Sequence, residues 1–84
     1  MKNKLDIKRI DTNTLIIYDT EAINIFSYNS HIARFTREKM IFFKDWNYSS
    51  TTSRGRNKAM NYLGFTHLNT TDKILDDPNV IIEK

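Results

Sequence analysis

The chain has 84 residues, 39% of them hydrophobic and 12% aromatic, with a formal net charge of +3 and no cysteine. That length allows one domain hiding roughly 60–65% of its unfolded surface, and the missing cysteines exclude structural disulfides and thiolate metal sites. No stretch approaches the roughly 20 apolar residues of a membrane-spanning helix, and the opening Met1-Lys2-Asn3-Lys4-Leu5-Asp6 lacks the apolar run of a secretory signal, so a soluble, cytoplasmic protein is expected.

Charge is unevenly spread. Residues 31–60 carry seven cations (Arg34, Arg37, Lys39, Lys44, Arg54, Arg56, Lys58) against Glu38 and Asp45, a local excess of +5. Segregation of this kind favours an anionic partner for the middle of the chain.

In chain order, residues 4–10 alternate weakly, with Leu5 and Ile7 on one face, and read as an edge strand or an ordered arm. Asp11-Thr12-Asn13 is a turn, because Asp and Asn side chains bond their own backbone. Leu15-Ile16-Ile17-Tyr18 is a strand-sized β-rich run. After Asp19-Thr20-Glu21, residues 22–28 form a strand with Ile23 and Ile25 on one face and Phe26 and Tyr28 on the other. Asn29-Ser30 is the expected two-residue hairpin connection, and residues 31–36 return as its partner. Arg37-Glu38-Lys39 turns into a further strand at 40–44. Breaks this short imply antiparallel neighbours, since parallel pairs need crossovers of about a dozen residues or more.

Asp45-Trp46-Asn47-Tyr48 leaves the sheet. Thr51 or Thr52 then offers a hydroxyl cap for a helix, with Ser49, Ser50 and Ser53 as alternatives. Ala59, Met60 and Leu63 give this helix, at about 52–63, an apolar stripe. Gly64 is placed to end it in the left-handed region, with Phe65 as the hydrophobic contact of a Schellman motif. Gly55 weakens the first turn by up to about 1 kcal/mol relative to Ala. In the tail, Asn69-Thr70-Thr71-Asp72 caps one short helical turn, Asp76-Asp77-Pro78-Asn79 is a turn, and Val80-Ile81-Ile82 is a last strand at a sheet edge.

The fold expected is therefore α+β in one domain. An antiparallel sheet of about four strands (14–44) carries the main helix on one face, with an N-terminal arm (1–11) and a C-terminal tail (66–84). The other face of the sheet needs cover from the arm, the tail or another subunit, which makes a homodimer or a partner protein attractive.

The best candidate site is the approach to the helix. Backbone amides left free at a helix N-terminus favour an anion, and Ser49, Thr51, Thr52 and Ser53 with Arg54 and Arg56 supply ligands for phosphate or carboxylate. Arg34, Arg37 and Lys58 extend the basic surface. Trp46, Tyr28 and Tyr48, with polar handles, are surface candidates, either as anchors or as loop plugs, whereas Phe26, Phe35, Phe42 and Phe43 are expected mostly to fill the core. His31 and His67 are the only histidines and have no metal spacing. No catalytic residue, metal or cofactor is expected.

Two segments carry a resemblance. Ile25-Phe26-Ser27-Tyr28-Asn29-Ser30-His31-Ile32-Ala33 resembles the F-S-Y-x-T-x-V-A segment of a family of small uncharacterised phage and prophage proteins. Trp46-Asn47-Tyr48-Ser49-Ser50-Thr51-Thr52-Ser53-Arg54 resembles that family's second signature, Y-S-x-T-T-S-[KR]-H. Ser30 stands where the family usually carries Thr, and Gly55 where it carries His, so no role of that His carries over. The family has no assigned activity; its phage setting, with the absence of a catalytic constellation in this sequence, leads to the expectation of a non-enzymatic binding protein in the cytoplasm of a host cell. Such a protein would dock on a host protein that handles nucleic acid, as an anti-CRISPR-like inhibitor does. A nucleic-acid-binding module using the basic 31–60 segment, and a structural or accessory phage subunit, are the alternatives.

Overall fold

The computed structural model describes residues 6–83; the part of the expected arm before residue 6 lies outside them. The elements are β1 (Asp6–Asp11), β2 (Thr14–Tyr18), β3 (Ile23–Ser27), β4 (Ser30–Phe35), β5 (Met40–Phe42), α1 (Ser50–Leu63), a 3₁₀ turn (Thr66–Leu68), α2 (Thr71–Asp76) and β6 (Val80–Ile82). The class is α+β, as expected, but the sheet has six strands in the order β1-β2-β3-β4-β5-β6 rather than about four. The described part of the arm adds edge strand β1 and the tail adds edge strand β6, while Leu68 and Ile74 of the tail pack on the inner face. β1 to β5 form an antiparallel meander through short turns. β6 runs parallel to β5, with Ile41 opposite Ile81, because the chain between them passes through α1 and α2 and so provides the long crossover a parallel pair requires.

Alternation along the strands separates two faces. Thr14 and Ile16 of β2, Ile25 and Ser27 of β3, Ala33 and Phe35 of β4 and Phe42 of β5 face α1. With Ala59, Met60, Leu68 and Ile74 from the helical side, most of them make one buried core. Phe35 and Phe42 fill it as expected, at 3% and 0% exposure. Phe26 and Phe43 do not. Each follows a core residue in an extended chain, so each points to the opposite face.

Two irregularities shape the β3–β4 hairpin. Ile25 pairs with Ala33 but Phe26 pairs with His31, so Ile32 is an extra residue bulged into β4; the bulge puts both Ile32 and Ala33 fully inside. The turn residues are Tyr28 and Asn29, at φ 53° and 76°, one position earlier than the expected Asn29-Ser30. Positive φ at both central positions matches the twist of a tight hairpin, but it costs a bulky L-residue such as tyrosine about 1–2 kcal/mol. Two bonds to Asn13 hold Tyr28 there: its amide donates to the Asn13 carbonyl (2.9 Å), and its hydroxyl accepts from Asn13 Nδ2 (3.2 Å).

α1 starts two or three residues earlier than Thr51 or Thr52 as cap would put it, because Ser49, one of the alternatives, takes the position. Its backbone is extended and its Oγ accepts from the Thr52 amide at 3.2 Å. The end is the Schellman motif: Gly64 at φ 84°, its amide donating to Asn61 O, and the Phe65 amide donating to Met60 O at 2.9 Å. Thr70 caps α2 through the Lys73 amide at 3.2 Å.

Gly55 has a tertiary reason that helix propensity hides. A Cβ built there would overlap the Thr14 hydroxyl and lie 3.0 Å from Thr14 Cβ, so the bare glycine is what lets α1 sit directly on β2. Thr14 Oγ1 is in turn buried without a hydrogen-bond partner among the described residues. Gly55→Ala is expected to destabilise the fold by about 1–2 kcal/mol, overpacking outweighing the gain in helix propensity. Thr14→Ala, which removes an unsatisfied hydroxyl, is expected to change stability by less than about 0.5 kcal/mol and to recover part of the loss in the double variant. Urea denaturation of the three variants measures both effects.

Candidate functional site

The segment from Trp46 to Arg56 does two separate jobs, and neither is the expected cluster of cations at a helix end. Arg56 is entirely buried. Its guanidinium donates through NH1 to the Trp46 carbonyl (3.2 Å) and Asn47 Oδ1 (3.2 Å), through Nε and NH2 to Asn57 Oδ1 (3.2 and 2.9 Å), and through NH2 to Thr71 Oγ1 (2.8 Å). It also sits 5.0 Å from the Trp46 ring centroid, in cation–π range. Among the described residues no carboxylate pairs with it; neutral acceptors and one aromatic face hold the charge. Burial pushes its pKa down to about 10, still well above neutrality, so the group stays charged. Trp46, expected as a surface anchor, is 8% exposed and belongs to the core.

The hydroxyls nearby form the floor of a cleft of about 480 Å³. Ser27, Tyr28, Ser30 and Ile32 of the β3–β4 hairpin line one side; Asp45, Tyr48, Ser49 and Thr52 line the other. The cleft thus joins residues 27–32 to residues 45–52, two stretches separated in sequence by the rest of β4 and by β5. Ser27 Oγ donates to Thr52 Oγ1 (3.3 Å), Ser49 Oγ donates to the same atom (3.2 Å), and the Thr52 amide donates back to Ser49 Oγ. Tyr28 and Tyr48 are 53% and 78% exposed. Thr51 is half-buried on α1, and Ser53 is turned aside to donate to Asn47 Oδ1. Tyr28 and Tyr48 were expected at the surface; Ser30 and Asp45 were not among the expected site residues.

The remaining basic candidates are dispersed. Arg34 pairs with Asp19 at 3.7 Å and donates to Asn24 Oδ1 at 3.1 Å, on the sheet face away from α1. Lys58 pairs with Asp11 at 3.5 Å on the helix side. Burial alone would raise the Asp11 carboxyl, but the Asn13 amide, the dipole of the nearby Thr14 hydroxyl and the Lys58 ammonium outweigh it and hold its pKa below the ordinary value. Arg37 and Arg54 are exposed on the β4–β5 turn and on α1. With Arg56 inside and Arg34 and Lys58 paired, the basic 31–60 segment is not one continuous surface.

The outer sheet face carries the second candidate. Its paired positions bring together Ile7 and Ile17, Leu15 and Phe26, Asn24 and Arg34, and Ile41 and Ile81. His31 lies between Phe26 and Phe43, with both ring-centroid distances 4.6 Å, so three rings run in a row across neighbouring strands. A polar seam crosses the same face. Asn24 Nδ2 donates to Asp19 Oδ2 (3.2 Å), which fixes the amide orientation, and Asn24 Oδ1 then accepts from both Arg34 and His31 Nε2 (3.0 Å). His31 is thereby the Nε2–H tautomer. Burial first, and then the Arg34 charge, push its pKa below the ordinary histidine value against a backbone contact at Ala33. Asp19 is held below its ordinary value mainly by the Glu21 and Ala22 amides.

Two outcomes follow from these contacts. Arg56→Ala leaves four acceptor groups facing an emptied site and is expected to cost about 3 kcal/mol or more, while Arg56→Lys recovers less than half because one ammonium cannot span the planar fork. Urea denaturation followed by Trp46 fluorescence reads this directly. For His31, the unfolded chain takes up a proton near pH 6.5 and the folded chain only at lower pH. The stability contribution is therefore complete above that value and lost as pH falls toward the folded pKa. The urea midpoint should decline between about pH 7 and pH 5 in the wild type and flatten in His31→Phe, since the lowered Asp11 and Asp19 titrate only further down.

No curated protein and no solved structure matches the chain. A family model described as a family of unknown function, DUF8033, matches residues 3–77, which takes in the sheet up to β5, α1, α2 and every residue of the cleft and the ring row. The chain belongs to the DUF8033 family.

Proposed function

We propose that this protein is a binding module that docks a protein partner through the outer face of its sheet. The observation that carries the reading is the makeup of that face. Ile7, Leu15, Ile17, Phe26, Ile41, Phe43 and Ile81 surround the Asn24–His31–Arg34 seam, and both edge strands contribute, Ile7 being 64% and Ile81 42% exposed. The described arm residues pair at one sheet edge, the tail packs on the inner face and pairs at the other edge, and neither covers the outer face. An apolar field around a few oriented polar groups has the anatomy of a protein interface. The partner class we favour is a host protein that handles nucleic acid, inhibited in the manner of an anti-CRISPR. Its support is the resemblance of residues 25–33 and 46–54 to phage proteins, together with the exposed arginines Arg37 and Arg54, unpaired among the described residues, for an acidic groove.

A second reading rests on the ring row. Phe26, His31 and Phe43 beside Arg9 and Arg34 have the composition of a stacking platform for single-stranded nucleic acid.

Capture from a low-GC bacterial lysate, compared with sedimentation velocity of the purified chain, distinguishes the readings. The expected result is a stoichiometric protein partner retained by wild type and by Arg54→Ala and lost by more than about tenfold in Phe26→Lys and Phe43→Lys, as for residues at an interface centre. Retention undiminished by both lysine substitutions overturns the sheet-face reading. A concentration-dependent dimer abolished by the same substitutions makes a second copy the partner. Oligonucleotide binding that weakens steeply with salt supports the stacking platform instead.

A further inference from the structure

The cleft between the Tyr28-Asn29 turn and the start of α1 has a chemistry that sheet-face docking does not use. Its hydroxyl floor is closed on itself, since Ser27 and Ser49 both donate to Thr52 Oγ1 and the Thr52 amide donates to Ser49. Among the described residues, the lining groups left without a hydrogen-bond or ionic partner are the Asp45 carboxylate and the Ser30 and Tyr48 hydroxyls. No lysine, arginine or histidine lines the cleft. Arg56, the basic residue expected to complete an anion site there, is buried with its donors engaged on Trp46, Asn47, Asn57 and Thr71. An anion entering the cleft would meet a carboxylate and no cationic side chain.

A cation meets the opposite arrangement. Asp45 supplies a full negative charge, Tyr28 and Tyr48 supply two largely exposed electron-rich rings at the rim, and Ser30 supplies a free acceptor oxygen. Tyrosine faces and a carboxylate are the groups that recognise ammonium and guanidinium. The positive end of α1 works against a cation, but its partial charge of roughly half a unit is less than the full charge of Asp45. A volume of about 480 Å³ accommodates such a group together with its alkyl stem. The geometry points to a cation-binding site in this cleft, taking a guanidinium or alkylammonium group from a basic peptide side chain or from a free amine.

Amide chemical-shift perturbation of the full chain tests the assignment, with N-acetyl-arginine amide, N-acetyl-lysine amide, agmatine, N-acetyl-citrulline amide and inorganic phosphate as probes. At least one of the cationic probes gives saturable shifts confined to residues 27–32 and 45–52, whereas citrulline amide, isosteric but neutral, and phosphate give none. Asp45→Asn weakens the cation about tenfold and Tyr48→Ala about threefold. Tyr48 is 78% exposed, so its substitution leaves the fold intact and keeps the test decisive if Asp45→Asn perturbs the whole spectrum. Capped arginine or lysine binding at least as tightly as agmatine identifies a peptide side chain as the source, and tighter agmatine identifies a free amine. The proposal is overturned if phosphate or citrulline amide shifts the same amides as strongly. It is also overturned if both variants bind like wild type, or if no cationic probe shifts these amides at tens of millimolar.

Discussion

The buried guanidinium of Arg56 is the contact on which the helical half of the molecule depends. It reaches the Trp46 carbonyl and Asn47 in the loop before α1, Asn57 on α1 itself, and Thr71 in the first turn of α2, while its plane lies over Trp46. One residue therefore fixes how the chain leaves the sheet, how α1 is rotated, and where α2 begins. An isolated charge in the interior is expensive unless every donor is met. Here the demand is met by carbonyl, amide and hydroxyl oxygens, a geometry only a planar five-donor group can satisfy at once. The placement of α2 then governs β6, because the parallel edge strand can form only after the crossover has carried the chain back alongside β5.

The two faces of the sheet are built on different principles. The inner face is a packed apolar core, with Gly55 permitting α1 to touch β2 at Thr14 and the β4 bulge turning both Ile32 and Ala33 inward. The outer face combines aliphatic residues, a row of three aromatic rings and a hydrogen-bonded seam from Asp19 through Asn24 to His31 and Arg34. That seam orients its own members before any partner arrives, so docking on this face loses little side-chain entropy at its centre.

Membership of the DUF8033 family covers residues 3–77, and the structure explains why two separate segments of that span belong together. Residues 27–32 and 45–52 are the two walls of one cleft, joined by the Ser27–Thr52 hydrogen bond. The hydroxyls that look like anion ligands in the sequence are mainly engaged with one another and with the helix cap. What they leave to a ligand is a carboxylate and two tyrosine rings.

Much of the local structure was legible in the chain because it depends on near neighbours. The strand runs from 14 to 43 follow from alternation and short polar breaks, and the end of α1 follows from Gly64 and Phe65, whose hydrogen bonds close within six residues. Choices among equivalent local options were not legible. Ser49 rather than Thr51 or Thr52 caps α1, and Tyr28-Asn29 rather than Asn29-Ser30 makes the turn, since the Ser27–Thr52 bond and the Asn13 contacts come from distant strands. Period-two alternation shows that Phe26 and Phe35 can lie on different faces, but not which face receives α1. Arg56 carries in sequence every sign of a surface cation on a polar helix face. Only the tertiary structure, by gathering Trp46, Asn47, Asn57 and Thr71 around it, decided that its charge holds the interior together instead of meeting a ligand.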